Sequence, residues 1–117
     1  MRVSKNKVNT HLSQELFNTL HQAIADLKNS QEVEKFLKSF LSDAEHTTLA
    51  KRVAVAYWLD NKRSYENIRE NLKVSSATIA TIQTELGDEG VKLALRKIKA
   101  EEWANIWSSK IQKFIKK

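Results

Sequence analysis

The sequence predicts an all-α protein. Its 117 residues include no proline and only two glycines, Gly87 and Gly90. Long stretches are rich in Ala, Leu, Glu and Lys, and apolar residues recur three and four apart. A β-rich chain of this length needs more turn formers, whereas this composition and period fit helices packed around one modest core.

Residues 1–10, with Arg2, Lys5 and Lys7 and no core pattern, read as a flexible basic arm. Leu16, Phe17, Leu20, Ile24 and Leu27 then predict a first helix from about Ser13 to Lys28. Asn29-Ser30 break it, with Ser30 available to cap a second helix whose apolar face is Val33, Phe36, Leu37, Phe40 and Leu41. Ser42-Asp43-Ala44-Glu45 is a capping-box pattern opening a third helix through about Leu59. Leu49, Val53, Ala56 and Tyr57 form its main stripe. Val55, Trp58 and Leu59 widen that stripe almost all round, which implies burial on more than one side.

After the polar loop 60–63, residues 64–83 read as two short helices joined by a tight turn. That is the pattern of the bihelical unit whose second helix lies in the DNA major groove, and DNA binding is the expectation it raises. Ile68 and Leu72 share a face of the first helix, Val74 plugs the turn, and Ile79 and Ile82 line the inner face of the second. Ala77 is small enough to let the helices approach, and Ser64 and Ser75 stand at the two N-cap positions. Gly87 fits a helix C-cap and Asp88 the next N-cap. The last helix carries Val91, Leu95 and Ile98, then shifts its face to Trp103, Ile106, Trp107, Ile111, Phe114 and Ile115. A kink, a twist of the buried face, or two successive helices would each produce that shift. The expected organisation is an arm over 1–10, a helical domain over 11–87 and a C-terminal helical extension over 88–117.

The net charge of +6 is uneven: residues 1–50 are neutral, 51–73 carry +3, 74–91 carry −3 and 92–117 carry +6. A basic chain can meet nucleic acid or an anionic surface, and the bihelical motif favours duplex DNA. The absence of cysteine excludes disulfides and thiolate metal sites and is compatible with the cytoplasm. No apolar run is long enough for a membrane span, and Met1–Lys5 lacks a signal-peptide core, so no membrane role is expected. The aromatic stripe Trp103–Phe114 beside Lys110 and Lys113 reads as a core or dimer face before a membrane-lying helix. His11, His21 and His46 lack metal-ligand spacing, and Glu66 and Glu70 read as solvated or paired with Arg69 and Lys73. With no nucleotide-binding glycine loop and no nucleophile–base pairing, neither an enzyme nor a cofactor is expected.

Residues 41–83 resemble the Trp repressor family and its shorter Trp-repressor-like relatives. Leu41-Ser42-Asp43-Ala44-Glu45 is similar to the family's Leu-Thr-Pro-Asp-Glu helix opening. Arg52-Val53 ahead of Val55 and Leu59 matches its middle. Ser64-Tyr65-Glu66-Asn67-Ile68, Glu70-Asn71-Leu72 and Val74-Ser75-Ser76-Ala77-Thr78-Ile79 match its bihelical reader. The resemblance implies a multi-helix Trp-repressor-like domain that forms a homodimer through its N-terminal helices and binds operator DNA, as a transcription regulator and repressor. It says nothing of the extension from about Asp88.

Three positions depart from the pattern. Lys73 stands where a turn glycine is usual, a place that tends to require left-handed backbone at a cost of roughly 1–2 kcal/mol. Arg69 stands where a small inner-face residue is usual, so its stem must bend away or the helices must splay. Arg52 matches one carboxylate-binding arginine of the family's effector pocket, but Thr81 replaces the second arginine and Ile82 a glycine. L-tryptophan is therefore not expected to act as effector.

Candidate base contacts on the outer face of the second reader helix are Ser75, Ser76, Ala77, Ala80, Thr81, Gln83 and Thr84. None is charged: hydroxyls can meet bases or phosphates, methyls can pack on thymine, and glutamine can pair with adenine. Candidate phosphate contacts are Lys62, Arg63 and Lys73. The alternative readings are a helix cap alone for Ser75 and Ser76, a solvated loop for Lys62 and Arg63, and an ion-pair residue for Arg52, which is the commoner role for such an arginine. The rival function is a non-catalytic protein-interaction module that has lost DNA readout.

Overall fold

A computed structural model describes residues 9–115, with side chains given through Glu102 and at Asn105. The described residues form six helices and no strand: α1 Thr10–Ala25, α2 Ser30–Phe40, α3 Asp43–Asp60, α4 Tyr65–Leu72, α5 Ser76–Glu85 and α6 Glu89–Ile115. The all-α expectation holds. The chain divides into two compact units, residues 1–46 and 47–117.

In the first unit, both helix starts are set by asparagines. The Asn9 side chain accepts from Leu12 N at 2.9 Å, so α1 opens three residues before Ser13 and takes Thr10 from the expected arm. The arm's residues 1–8 lie outside the described residues. The Asn29 side chain accepts from Glu32 N at 2.9 Å, which makes Asn29 the cap of α2 and Ser30 its first helical residue. At α3 the capping box forms as its spacing predicts: Glu45 N donates to Ser42 Oγ at 3.1 Å and Ser42 N to the Glu45 carboxylate at 2.8 Å. Those bonds, the backbone one first, hold the Glu45 carboxyl below its ordinary range. Leu12, Leu16, Phe17, Leu20 and Ile24 of α1 and Phe40 of α2 are exposed.

In the second unit, Val55, Ala56 and Leu59 of α3, Ile68 of α4, Ile79 and Ile82 of α5 and Leu95 of α6 form one buried cluster, with Leu72 and Val74 packed against it. Each fully buried aliphatic side chain contributes about 1.5–3 kcal/mol. Of the expected main α3 stripe, Ala56 is buried and Tyr57 packs against the cluster. Leu49 and Val53 are exposed, and Val55 and Leu59 take the inner position. A helix apolar nearly all round gives no phase, so its neighbours choose which side is buried.

The helix ends explain how so few glycines suffice. At the end of α3, Lys62 N donates to Leu59 O and Arg63 N to Trp58 O, a Schellman closure with Lys62 in left-handed backbone at φ 64°. At the end of α4, Lys73 N donates to Arg69 O with Lys73 at φ 55°, ψ 50°. Gly87 is not a left-handed cap, since no glycine has positive φ; Leu86 ends α5. Asp88 O accepts from Lys92 N, opening α6 as expected. That helix is continuous from Glu89 to Ile115. The face shift to Trp103 and Ile106–Ile115 involves side chains outside the described ones.

Candidate nucleic-acid interface

The interface begins with two serine caps. Ser64 Oγ accepts from Asn67 N, and Ser75 Oγ accepts from Thr78 N, each at 3.1 Å. They start α4 and α5 on either side of the left-handed Lys73. Ile68 and Ile79 face each other's side of the unit's core and are fully buried. With Ile82 also inside, periodicity turns Ser76, Ala77, Ala80, Thr81, Gln83 and Thr84 outward, and all six are exposed, as is Ser75. The structure thus brings the seven candidate base contacts together on one accessible helix and its N-cap.

Several of their hydroxyls already have partners. Ser75 Oγ serves the cap and also meets Thr78 Oγ1 at 2.9 Å. Thr81 Oγ1 donates to Ala77 O at 3.0 Å and Thr84 Oγ1 to Thr81 O at 2.6 Å. These bonds use the threonine protons and leave the hydroxyl oxygens able to accept. Ser76 Oγ accepts from Arg69 Nη1 at 3.0 Å. Arg69 therefore bends away from the inner face, and the helices close over Ile68 and Ile79 without it. It pairs with neither Glu66 nor Glu70, the alternatives its sequence spacing offered.

The candidate phosphate contacts surround this helix pair. Lys62 and Lys73 are exposed at the two left-handed helix ends. Arg63 is drawn back by the Schellman turn: its guanidinium lies 4.1 Å from the centroid of the Trp58 ring, and Nη1 donates to Asn67 Oδ1 at 3.3 Å. It thus has a structural role that its place in a polar loop did not reveal. Lys51 Nζ reaches Lys73 O at 3.5 Å and ties α3 to the reader turn.

A cleft of about 200 Å³ opens between α3, α5 and α6, lined by Leu49, Arg52, Val53, Ala56, Ile82, Glu85, Gly90, Val91, Ala94 and Leu95. Arg52 Nη2 meets Glu85 Oε2 at 3.0 Å across its mouth. Ile82 forms part of its wall and Thr81 lies outside it. Sequence spacing alone could not pair Arg52 with Glu85, 33 residues away. A second link, Lys99 Nζ to Asp60, ties α6 to the end of α3. Among the described residues no group of three or more His, Asp or Glu could hold a metal ion, and no helix is long and apolar enough to cross a membrane.

No curated protein and no solved structure shows significant similarity to the chain. The sequence model of the family described as Trp repressor protein matches residues 15–99, from within α1 to the opening of α6, and the chain belongs to that family.

Proposed function

We propose that the chain is a homodimeric, sequence-specific transcription regulator, a repressor acting in the cytoplasm, that reads duplex DNA by laying α5 in the major groove. The family is one of DNA-binding regulators and not of enzymes. The observation that carries the reading is the α4–turn–α5 unit, with Ile68, Ile79 and Ile82 buried and Ser75–Thr84 offering their outer face. In this reading Lys62 and Lys73 meet phosphates, which supply affinity without base identity, while Ala77, Ala80, Thr81, Gln83 and Thr84 meet base edges, Ser75 serves as the α5 cap and Ser76 holds Arg69. Arg63 supplies its charge from the face of Trp58. Homodimerisation is supported by the exposed apolar faces of α1 and α2.

Selection from a random duplex pool tests the reading. An enriched palindrome and a steep fall of affinity with salt are expected. A chain that enriches no sequence and binds no duplex at low salt is not a DNA reader.

The same bonds favour a second reading. With four of the reader's hydroxyls engaged internally and no charge on its outer face, α5 also suits a protein partner. That alternative predicts capture of a protein with no salt-dependent DNA binding. L-tryptophan is not the effector in either reading, because Arg52 faces a carboxylate of its own chain and Ile82 stands in the cleft wall. Calorimetry showing tight tryptophan binding would overturn this.

A further inference from the structure

The outward face of α5 lacks any charged side chain, but one guanidinium is brought to its beginning from the preceding helix. Arg69 lies in the last turn of α4 and Ser76 is the first residue of α5. The turn between them places Arg69 Nη1 3.0 Å from Ser76 Oγ, with both residues exposed. Among the described residues Arg69 has no carboxylate partner. Ser75 carries the cap, which leaves the Ser76 hydroxyl for Arg69 alone.

From this geometry we propose that Arg69 is a specificity-determining residue that reads a guanine, and that Ser76 positions it. The assignment rests on α5 being the groove reader. The N-terminal end of a groove-lying helix is where side chains reach base edges. A free arginine loses much rotamer freedom on docking, and a guanidinium already held by a hydroxyl loses less. One N–H goes to Ser76, and the remaining donors keep the planar fork that matches guanine O6 and N7. Ser76 then acts through Arg69 rather than by touching a base itself. A lysine cannot reproduce the fork, and a glutamine matches adenine instead.

The test is selection from a random duplex pool with the full chain, Arg69→Lys, Arg69→Gln and Ser76→Ala, followed by titrations of the selected duplex at several salt concentrations. The wild type is expected to select guanine at one position of the site. Arg69→Lys should keep the salt dependence and lose that preference by about tenfold or more. Arg69→Gln should move the preference toward adenine, an outcome that misfolding cannot produce. Ser76→Ala should relax the preference at the same position only. A wild type that selects a site whose guanine survives in Arg69→Lys and Arg69→Gln overturns the assignment and leaves the DNA reading standing. A uniform loss on all duplexes in Arg69→Gln that Arg69→Lys restores identifies a phosphate contact and also overturns it. A wild type that binds no duplex removes the DNA reading itself, and the assignment with it.

Discussion

Lys73 shows how a single residue can carry two opposing demands. Its left-handed backbone closes α4 and aims the chain into α5, a task that glycine performs without a Cβ clash. Left-handed backbone costs a non-glycine residue roughly 1–2 kcal/mol, and glycine's extra freedom in the unfolded chain returns about 0.5–1 kcal/mol of that. Lys73→Gly should therefore raise stability by about 0.5–1 kcal/mol in chemical unfolding. If Lys73 meets a phosphate, the same variant should also lower the salt slope of duplex binding by about one. Unchanged or reduced stability would mean that the lysine stem packs more usefully than its position indicates. Glu45 offers a pH-dependent counterpart. Its folded-state carboxyl is held low by the Ser42 bonds, so its contribution is present above the ordinary glutamate range and lost as pH falls through the lowered value. A stability profile of Glu45→Gln should accordingly converge on the wild type in acid and fall below it near neutrality.

At the scale of elements, the α4–α5 pair depends on α3 as its platform. Ile79 of α5 is fully buried in the cluster with Val55 and Ile68. Ile79→Ala should cost about 2–5 kcal/mol in equilibrium unfolding. A loss below about 1 kcal/mol would show that the cavity collapses and that α5 is loosely held. The caps at Ser42, Ser64 and Ser75 were legible in the sequence because a cap is a three-residue event. The starts of α1 and α2 were displaced because Asn9 and Asn29 offered competing caps upstream of the serines. On α3 the sequence marks Ala56 and the widened stripe at Val55 and Leu59 correctly, but apolar residues that encircle a helix give no phase, so the exposure of Leu49 and Val53 was not legible. Arg69–Ser76, Arg63–Trp58 and Arg52–Glu85 were hidden for another reason: each joins residues that only the turns and tertiary packing bring together. The left-handed Lys73 was anticipated only through the family resemblance, and nothing at Lys62 announced the same conformation.

At the scale of the whole molecule, the seven core side chains buried among the described residues all belong to the unit spanning residues 47–117. The large apolar residues of α1 are exposed, Phe17 at 58% and Leu16 at 55%. Burying such a face between subunits recovers about 25 cal/mol per Å² of apolar area. Sedimentation at micromolar concentration should show a dimer, and Phe17→Glu should shift it toward monomer. A wild type that sediments only as monomer would remove the dimer from the proposed function. Because residues 47–117 contain both helices of the reader, Phe17→Glu should leave Trp58 in its native environment, a readout that separates loss of dimer from loss of fold.

The Arg52–Glu85 pair turns ligand binding at the cleft into a competition. A diffusing carboxylate that sought Arg52 would have to displace one that is tethered beside it. Tethering of this kind acts as a local concentration on the order of millimolar. Anions present at micromolar levels and held by the guanidinium alone would leave the pair closed. Only a ligand whose apolar body gains enough from Val53, Ala56 and Leu95 could open it, and removing the Glu85 charge would widen the range of anions to which the cleft responds.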